Sequence, residues 1–157
     1  MILGLEIVTA TLSDAGKIKA ITLDAFDRYI RKNMITNPIR ALTETLEDIT
    51  KDIENGCVLI ASMYGHPAGS IRILDLESGI ARISRFGVTT DYRKIGVGHE
   101  LLKKADEIMQ ISHVKSAYLF TALSNKRLIH FYKRHGYFLA SVDSKGDYPR
   151  AKLVKNF

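Results

Sequence analysis

The sequence predicts one mixed α/β (α+β) domain over residues 1–157, a mostly antiparallel sheet with helices packed on it. Three observations carry that prediction. Two amphipathic helical patterns precede Gly56. Three β-rich runs follow, joined by turns so short that they form an antiparallel meander. Then comes a strand–loop–helix–strand order from Ile80 to Leu123, whose two strands are parallel through a right-handed crossover.

Taken in order, Leu5 to Thr11 reads as the first strand. Ser13 is a suitable N-cap for a helix whose apolar face is Ile18, Ile21, Ala25, Tyr29 and Ile30. Pro38 disfavours helical backbone at Asn37, so Lys32 to Ala41 reads as a loop. A second helix starts near Thr43, with Leu42, Leu46, Ile49 and Ile53 on its dry side. Glu44, Glu47, Asp48, Lys51 and Asp52 read as its wet side, and Gly56 as its C-cap. The meander is Cys57–Tyr64, Ala68–Leu76 and Ile80–Val88, with turns at Gly65-His66 and Glu77-Ser78-Gly79. A helix after Gly96 is lined by Val97, Leu101, Leu102, Ala105, Ile108 and Met109, and Ala117–Leu123 is a buried strand. Asn125 can cap a fourth helix, Lys126–Arg134, closed by Gly136. Tyr137–Val142 and Tyr148–Val154 complete seven strands.

The fold is organised around Arg93-Lys94-Ile95-Gly96-Val97-Gly98. A polar loop with two glycines and two cations, opening a helix, aims backbone N–H groups at one spot at the positive end of the helix dipole. A phosphate or pyrophosphate suits it, and glycine lets the backbone approach closely. The same pattern also serves plain strand–helix packing. It is not GxxxxGK[ST], and it lacks the third glycine of the dinucleotide fingerprint. Upstream, Ala81 and Ile83 share a strand face with Phe86 and Val88 only if the alternation slips by one residue. That predicts a β-bulge near Ser84 and Arg85, which frees peptide groups for a ligand.

Composition narrows the function classes. At 46% hydrophobic and 25% charged residues, the chain is an ordinary globular one, large enough to bury a core. Cys57, the single cysteine, opens an apolar strand and reads as an inert thiol suited to a reducing cytoplasm. No secretion signal is visible, and the longest charge-free run, Cys57 to Ile71, is too short to span a bilayer. The net charge is +6, but the cations are scattered and interleaved with acids, with no aromatic–basic platform. The charge therefore favours a polyanionic small ligand over nucleic acid. The five histidines show no metal-ligand spacing, so no metal is predicted.

Together these motifs resemble the GNAT superfamily of acyl-CoA-dependent N-acetyltransferases. RKIGVG is similar to its Arg/Gln-x-x-Gly-x-Gly/Ala pyrophosphate motif, and FGVTTDYRK to the strand and turn before it. SNKRLIHFYKRHGYF resembles its later Asn-containing helix with the Phe-Tyr-x-x-x-Gly-Tyr/Phe ending. The resemblance implies a splayed central pair of parallel strands with acetyl-CoA between them. It also implies that the backbone of Phe86 and Val88 bonds the pantetheine arm. By the same likeness, Arg93, Lys94, Ile95, Gly96, Val97, Gly98 and His99 cradle the pyrophosphate, Asn125 meets the cofactor, and Tyr132 sits at the thioester sulfur.

Acetyl transfer needs a neutral amine. For a lysine-like pKa this costs about 4.6 kcal/mol at pH 7, which desolvation or a base reduces. The leaving thiolate needs a hydrogen bond or a proton, and donation by tyrosine is uphill by roughly 2 kcal/mol, so Tyr132 reads more as a donor than as a full acid. Where many relatives place a glutamate base, this chain has Ser84. Asp24, Asp27 and Glu77 remain as carboxylates that read more simply as surface charge, and a water chain or mere desolvation of the amine is the preferred reading. The family resemblance puts the acceptor among Asp24, Tyr29, Arg31, Lys32, Tyr148 and Arg150, whose mixed signs do not choose between a small-molecule and a peptide amine. A non-catalytic acyl-CoA-binding module and a phosphate-loop nucleotide binder stand as alternatives, and monomer and homodimer both remain open.

Overall fold

Leu59, Ala61 and Met63 face one side of the sheet while Val58 and Ile60 face the other, and both sets are buried. This apolar alternation needs helices on both faces. The computed structural model, which describes residues 2–157, supplies them. The elements are β1 (Leu5–Thr9), α1 (Ala15–Lys32), α2 (Arg40–Thr43), α3 (Leu46–Asn55), β2 (Cys57–Met63) and β3 (His66–Leu74). There follow β4 (Ile80–Val88), α4 (Val97–Ile111), β5 (Ser116–Ala122), α5 (Lys126–Arg134), β6 (Phe138–Asp143) and β7 (Arg150–Asn156). The seven strands lie in the order β1-β2-β3-β4-β5-β7-β6, and β4–β5 is the parallel pair. Leu101, Leu102, Ala105 and Met109 of α4 fill the larger core; Ile18, Ile21 and Ile49 of α1 and α3 fill the smaller. No helix among the described residues is long and apolar enough to cross a membrane.

Several local expectations need correction. Ser13 is not the α1 cap: it lies inside a 3₁₀ turn, Leu12–Asp14, where the Asp14 carboxylate accepts from the Thr11 N–H at 2.8 Å. Lys32 ends α1 instead of opening the loop. The β2–β3 turn is Tyr64-Gly65, both at positive φ (49° and 84°), with Met63 paired to His66; this backbone matches the right-handed twist of a two-residue hairpin. Gly56 is not a left-handed cap, since its φ is −128°. It is glycine because a Cβ would stand 2.6 Å from the Ile73 carbonyl oxygen.

The largest departure is in the second helix, which is two. The Thr45 hydroxyl accepts from the Asp48 N–H (3.1 Å), and the Asp48 carboxylate accepts from the Thr45 N–H (2.9 Å). This reciprocal cap starts α3 afresh and leaves α2 as a single turn. The break swings Glu44, expected on the wet side, into the protein, where it is 8% exposed. There it meets the fully buried Arg72 of β3 in a two-pronged pair of 2.6 and 2.9 Å. Arg72 also donates to Asp52 at 2.9 Å, and Arg85 of β4 reaches Glu44 at 3.4 Å. One carboxylate thus ties α2, β3 and β4 together.

The expected bulge is present. Ser70 faces Gly87 and Arg72 faces Ser84, so β4 carries one more residue than β3 between these pairs, and Arg85 takes φ 50°. Gly87 beside it lets α1 pack closely, since a Cβ there would stand 2.6 Å from that of Ala25. Gly87→Ala is expected to destabilise the protein by about 1–3 kcal/mol through this overpacking, read as a drop in thermal midpoint.

Candidate active site

β4 and β5 pair only from Ile80–Arg82 to Ser116–Tyr118. Beyond that the strands diverge, so from Ile83 onward the β5-facing edge of β4 has no strand partner. Two hollows flank the gap. A groove of about 710 Å³ runs over the start of α4, and a pocket of about 370 Å³ lies towards α2 and the β6–β7 turn. Phe26, Tyr29, Phe86 and Leu128 line both, so the hollows meet at these four side chains.

The sequence-predicted residues gather on the groove. Phe86, Val88, Arg93, Lys94, Gly96, Val97, Gly98, His99 and Asn125 all line it. Ile95 is the exception in its stretch: its side chain is half-exposed and outside the lining. Lys94 and Gly96 both take left-handed backbone (φ 64° and 97°), which curls the loop into a concave row of peptide groups. The first backbone bond of α4 runs from the Glu100 N–H to the Gly96 carbonyl, at 3.1 Å. The N–H groups of Val97, Gly98 and His99 therefore have no partner among the described residues at the helix start. Asn125 caps α5, its side-chain oxygen accepting from the Leu128 N–H at 3.2 Å.

Cations that sequence reasoning missed surround this cradle. Arg28 of α1 and Arg127 and Arg134 of α5 line the same groove, and so does Lys32, which was expected on the acceptor side. Burial, then Arg127, Arg93, Arg28 and Lys94, hold the Lys32 ammonium below its ordinary pKa. Burial and Arg93 do the same to Arg28, against the opposing pull of Asp24. Cations crowded enough to depress one another mark a site for a multiply charged anion. The i,i+4 spacing of Arg28 and Lys32 was a legible signal of a shared face. The α5 cations gave none, because only the fold sets their distance from the loop. Unpaired helix-start amides, crowded cations and an open strand edge fit the phosphates and amide-bearing arm of coenzyme A.

Tyr132 is buried beside the meeting point, its ring centroid 6.1 Å from that of Phe86, and it lines the smaller pocket. Its hydroxyl has no hydrogen-bond partner among the described residues. Burial, with a smaller contribution from Tyr29, pushes its pKa well above the ordinary value. The Tyr29 hydroxyl is engaged: it accepts from the Ala122 N–H at 2.9 Å and lies 3.4 Å from the Tyr148 hydroxyl. Ser84, Tyr148 and Arg150 line the pocket too.

The three carboxylates considered as bases do not reach either hollow. Asp24 accepts from the Thr90 N–H (3.0 Å) and hydroxyl (2.7 Å), fastening α1 to the turn before the loop. Asp27 pairs with Arg31 at the surface (2.7 Å), which also removes Arg31 from the acceptor side, and Glu77 is exposed in the turn before β4. Among the described residues, the pocket's single lining carboxylate is Asp147.

Comparisons with known proteins agree with this geometry. The family model described as "Acetyltransferase (GNAT) family" matches residues 24–137, from Asp24 to the end of the α5 motif. Streptothricin acetyltransferase A of Bacillus subtilis (strain 168) is 33% identical over 107 residues; these make up 67% of this chain and 56% of that protein, so the chain spans little more than half its relative's length. The PaiA N-acetyltransferase of Thermoplasma acidophilum, solved with coenzyme A, superposes with TM-score 0.85 at 16% identity, covering 99% of this chain and 100% of that one. The ribosomal-protein-S18-alanine N-acetyltransferase of Escherichia coli does so with TM-score 0.77 at 16% identity, covering 97% and 93%. At such identities these structures speak for the fold alone, whereas the matched sequence motifs speak for descent. The chain belongs to the GNAT family of acetyltransferases.

Proposed function

We propose that this protein transfers an acetyl group from acetyl-CoA to a primary amine, by direct attack in a ternary complex. The observation that carries the reading is that a basic groove and a separate pocket meet at Phe86, beside the unpartnered hydroxyl of Tyr132. Donor and acceptor can then enter from opposite sides and face one another at the junction.

In this reading Arg93, Lys94 and the amides up to His99 hold the pyrophosphate, with Arg28, Lys32 and Arg127 adding charge. Peptide groups of Phe86 and Val88 hold the pantetheine arm along the open edge of β4, and Asn125 approaches from the neighbouring loop. Acetyl-CoA supplies the activated acyl group. The amine nitrogen forms a bond to the thioester carbon, the C–S bond breaks, and the amine proton leaves to solvent. In the same reading, N–H groups freed at the bulge stabilise charge growing on the carbonyl oxygen. Tyr132 serves the departing thiolate as a hydrogen-bond donor; its raised pKa makes full proton transfer still more uphill than for an ordinary tyrosine.

The test is release of free CoA thiol against a panel of amines and peptides, with the acetylated product identified by mass. Arg93→Gln is expected to weaken CoA binding about tenfold, since charge-assisted hydrogen bonds contribute roughly 1.5–3 kcal/mol. Tight CoA binding with no transfer to any amine would instead support the non-catalytic module, a reading favoured by Ser84 at the usual position of the acid.

A further inference from the structure

The pocket opposite the CoA groove is lined by four arginines, Arg40, Arg82, Arg85 and Arg150, against one carboxylate, Asp147. Two of the four are already paired: Arg85 with Glu44 (3.4 Å) and Arg150 with Asp143 (2.8 Å). Arg40 and Arg82 enter no ion pair among the described residues. Arg82 and Arg150 both stand over the ring of Phe120, at 5.9 and 4.5 Å from its centroid. Both guanidinium groups thus border one ring of the pocket lining. Planar guanidinium forks match a carboxylate or phosphate, which they can bind in two-pronged fashion.

From this we infer that the acceptor is a small amine that also carries an anionic group, a carboxylate or phosphate, held by Arg82, with Arg40 as the second cation of the lining that has no ion pair among the described residues. The inference rests on the acetyl-transfer reading above and adds the class of acceptor to it. The pocket's size, about 370 Å³, suits a molecule on the scale of an amino acid. The same arginines bear on the missing base. A positively charged pocket disfavours the ammonium form of the bound amine and so lowers its pKa. Placing the acceptor's anion on the arginines and its amine at the gap lets charge do part of what a glutamate would do by taking the proton.

The experiment compares matched acceptors: amino acids with free carboxylates, the same amino acids as amides, an aminoalkyl phosphate, and spermidine. Amidation removes the anion and lowers the amine's own pKa, so a preference for the acid cannot come from amine reactivity. The expected result is a kcat/KM about tenfold or more higher for acids than for their amides. Arg82→Gln should erase most of that preference by raising KM, and Arg82→Lys should restore only part of it. Arg40→Gln, at an exposed position, provides a second variant should the first fold poorly. Thermal stabilisation by CoA, bound in the other groove, should be equal in all of them. Whether the aminoalkyl phosphate or the amino acid reacts faster identifies the anion.

Amides or spermidine reacting as well as the acids would overturn the inference while leaving acetyl transfer standing. If no amine is acetylated, calorimetric titration of the amino acids into CoA-saturated protein decides. Binding that Arg82→Gln weakens upholds the anion site and leaves the acetyl-transfer reading to fall alone; absence of binding removes the anion site.

Discussion

Glu44→Ala is expected to lower the thermal midpoint by roughly ten degrees or more. Removing one partner of a buried ion pair destabilises by about 3–5 kcal/mol, because the other charge is left buried and unmatched, and each kcal/mol moves the midpoint of a domain this size by about 2–4 °C. Here the abandoned group is Arg72, which is fully buried, keeps Asp52 as its remaining carboxylate, and already has its Nε without a partner. Replacing both partners by apolar residues, Glu44→Leu with Arg72→Met, should recover much of the loss, since the two-charge desolvation disappears with the pair. Differential scanning calorimetry of the single and double variants checks both statements. A single variant within two degrees of the parent would show that Asp52 alone satisfies Arg72.

Tyr132→Phe should leave stability and CoA affinity nearly unchanged while lowering kcat about 10²-fold. The hydroxyl has no hydrogen-bond partner among the described residues, so deleting it breaks no contact there, and the ring keeps its packing against Phe86, Phe131 and Tyr137. In the proposed role the rate falls because a donor to developing negative charge is lost, an effect of about 10²–10³ for oxyanion-hole donors. Steady-state kinetics with a CoA-binding control separates the two quantities. Burial also sets the pH dependence. Because the folded pKa of Tyr132 lies above its ordinary value of about 10, the hydroxyl stays protonated as pH rises through 10. The kcat profile should therefore show no descending limb there, and a limb near pH 10 that vanishes in the phenylalanine variant would contradict the assignment of burial as the dominant influence.

The β2–β3–β4 meander and the bulge were legible because both are written in local pattern: short turns, alternation, and one slip in that alternation at Ser84–Arg85; the place of β7 between β5 and β6 is set by long-range pairing and was not. The curled backbone of the loop Arg93–Gly98 was legible for the same reason, since it depends on the loop's own residues. Glu44 was not. A glutamate beside Glu47 and Asp48 looks like solvated surface, and only Arg72, far along the chain in a strand that otherwise reads as apolar, turns it inward. The reciprocal cap of Thr45 and Asp48 was the available clue that the helix restarts after Glu44. Arg127 and Arg134 escaped notice because a cation's relation to the loop depends on where α5 docks. Lys32 was assigned to the wrong side because its place at the end of α1, over the groove, depends on the length of that helix.

The divergence of β4 and β5 divides the sheet mechanically into two plates, β1–β4 and β5–β7, joined edge to edge over three residue pairs. Neighbouring residues of α1 reach one plate each. The Arg28 guanidinium donates to the Val88 carbonyl on β4 at 2.9 Å, and the Tyr29 hydroxyl accepts from the Ala122 N–H on β5 at 2.9 Å. The helix therefore acts as a spacer bar that gauges the aperture between the plates. Phe26 and Tyr29 of the same helix line both hollows, so the element that spaces the plates is also a wall shared by the groove and the pocket.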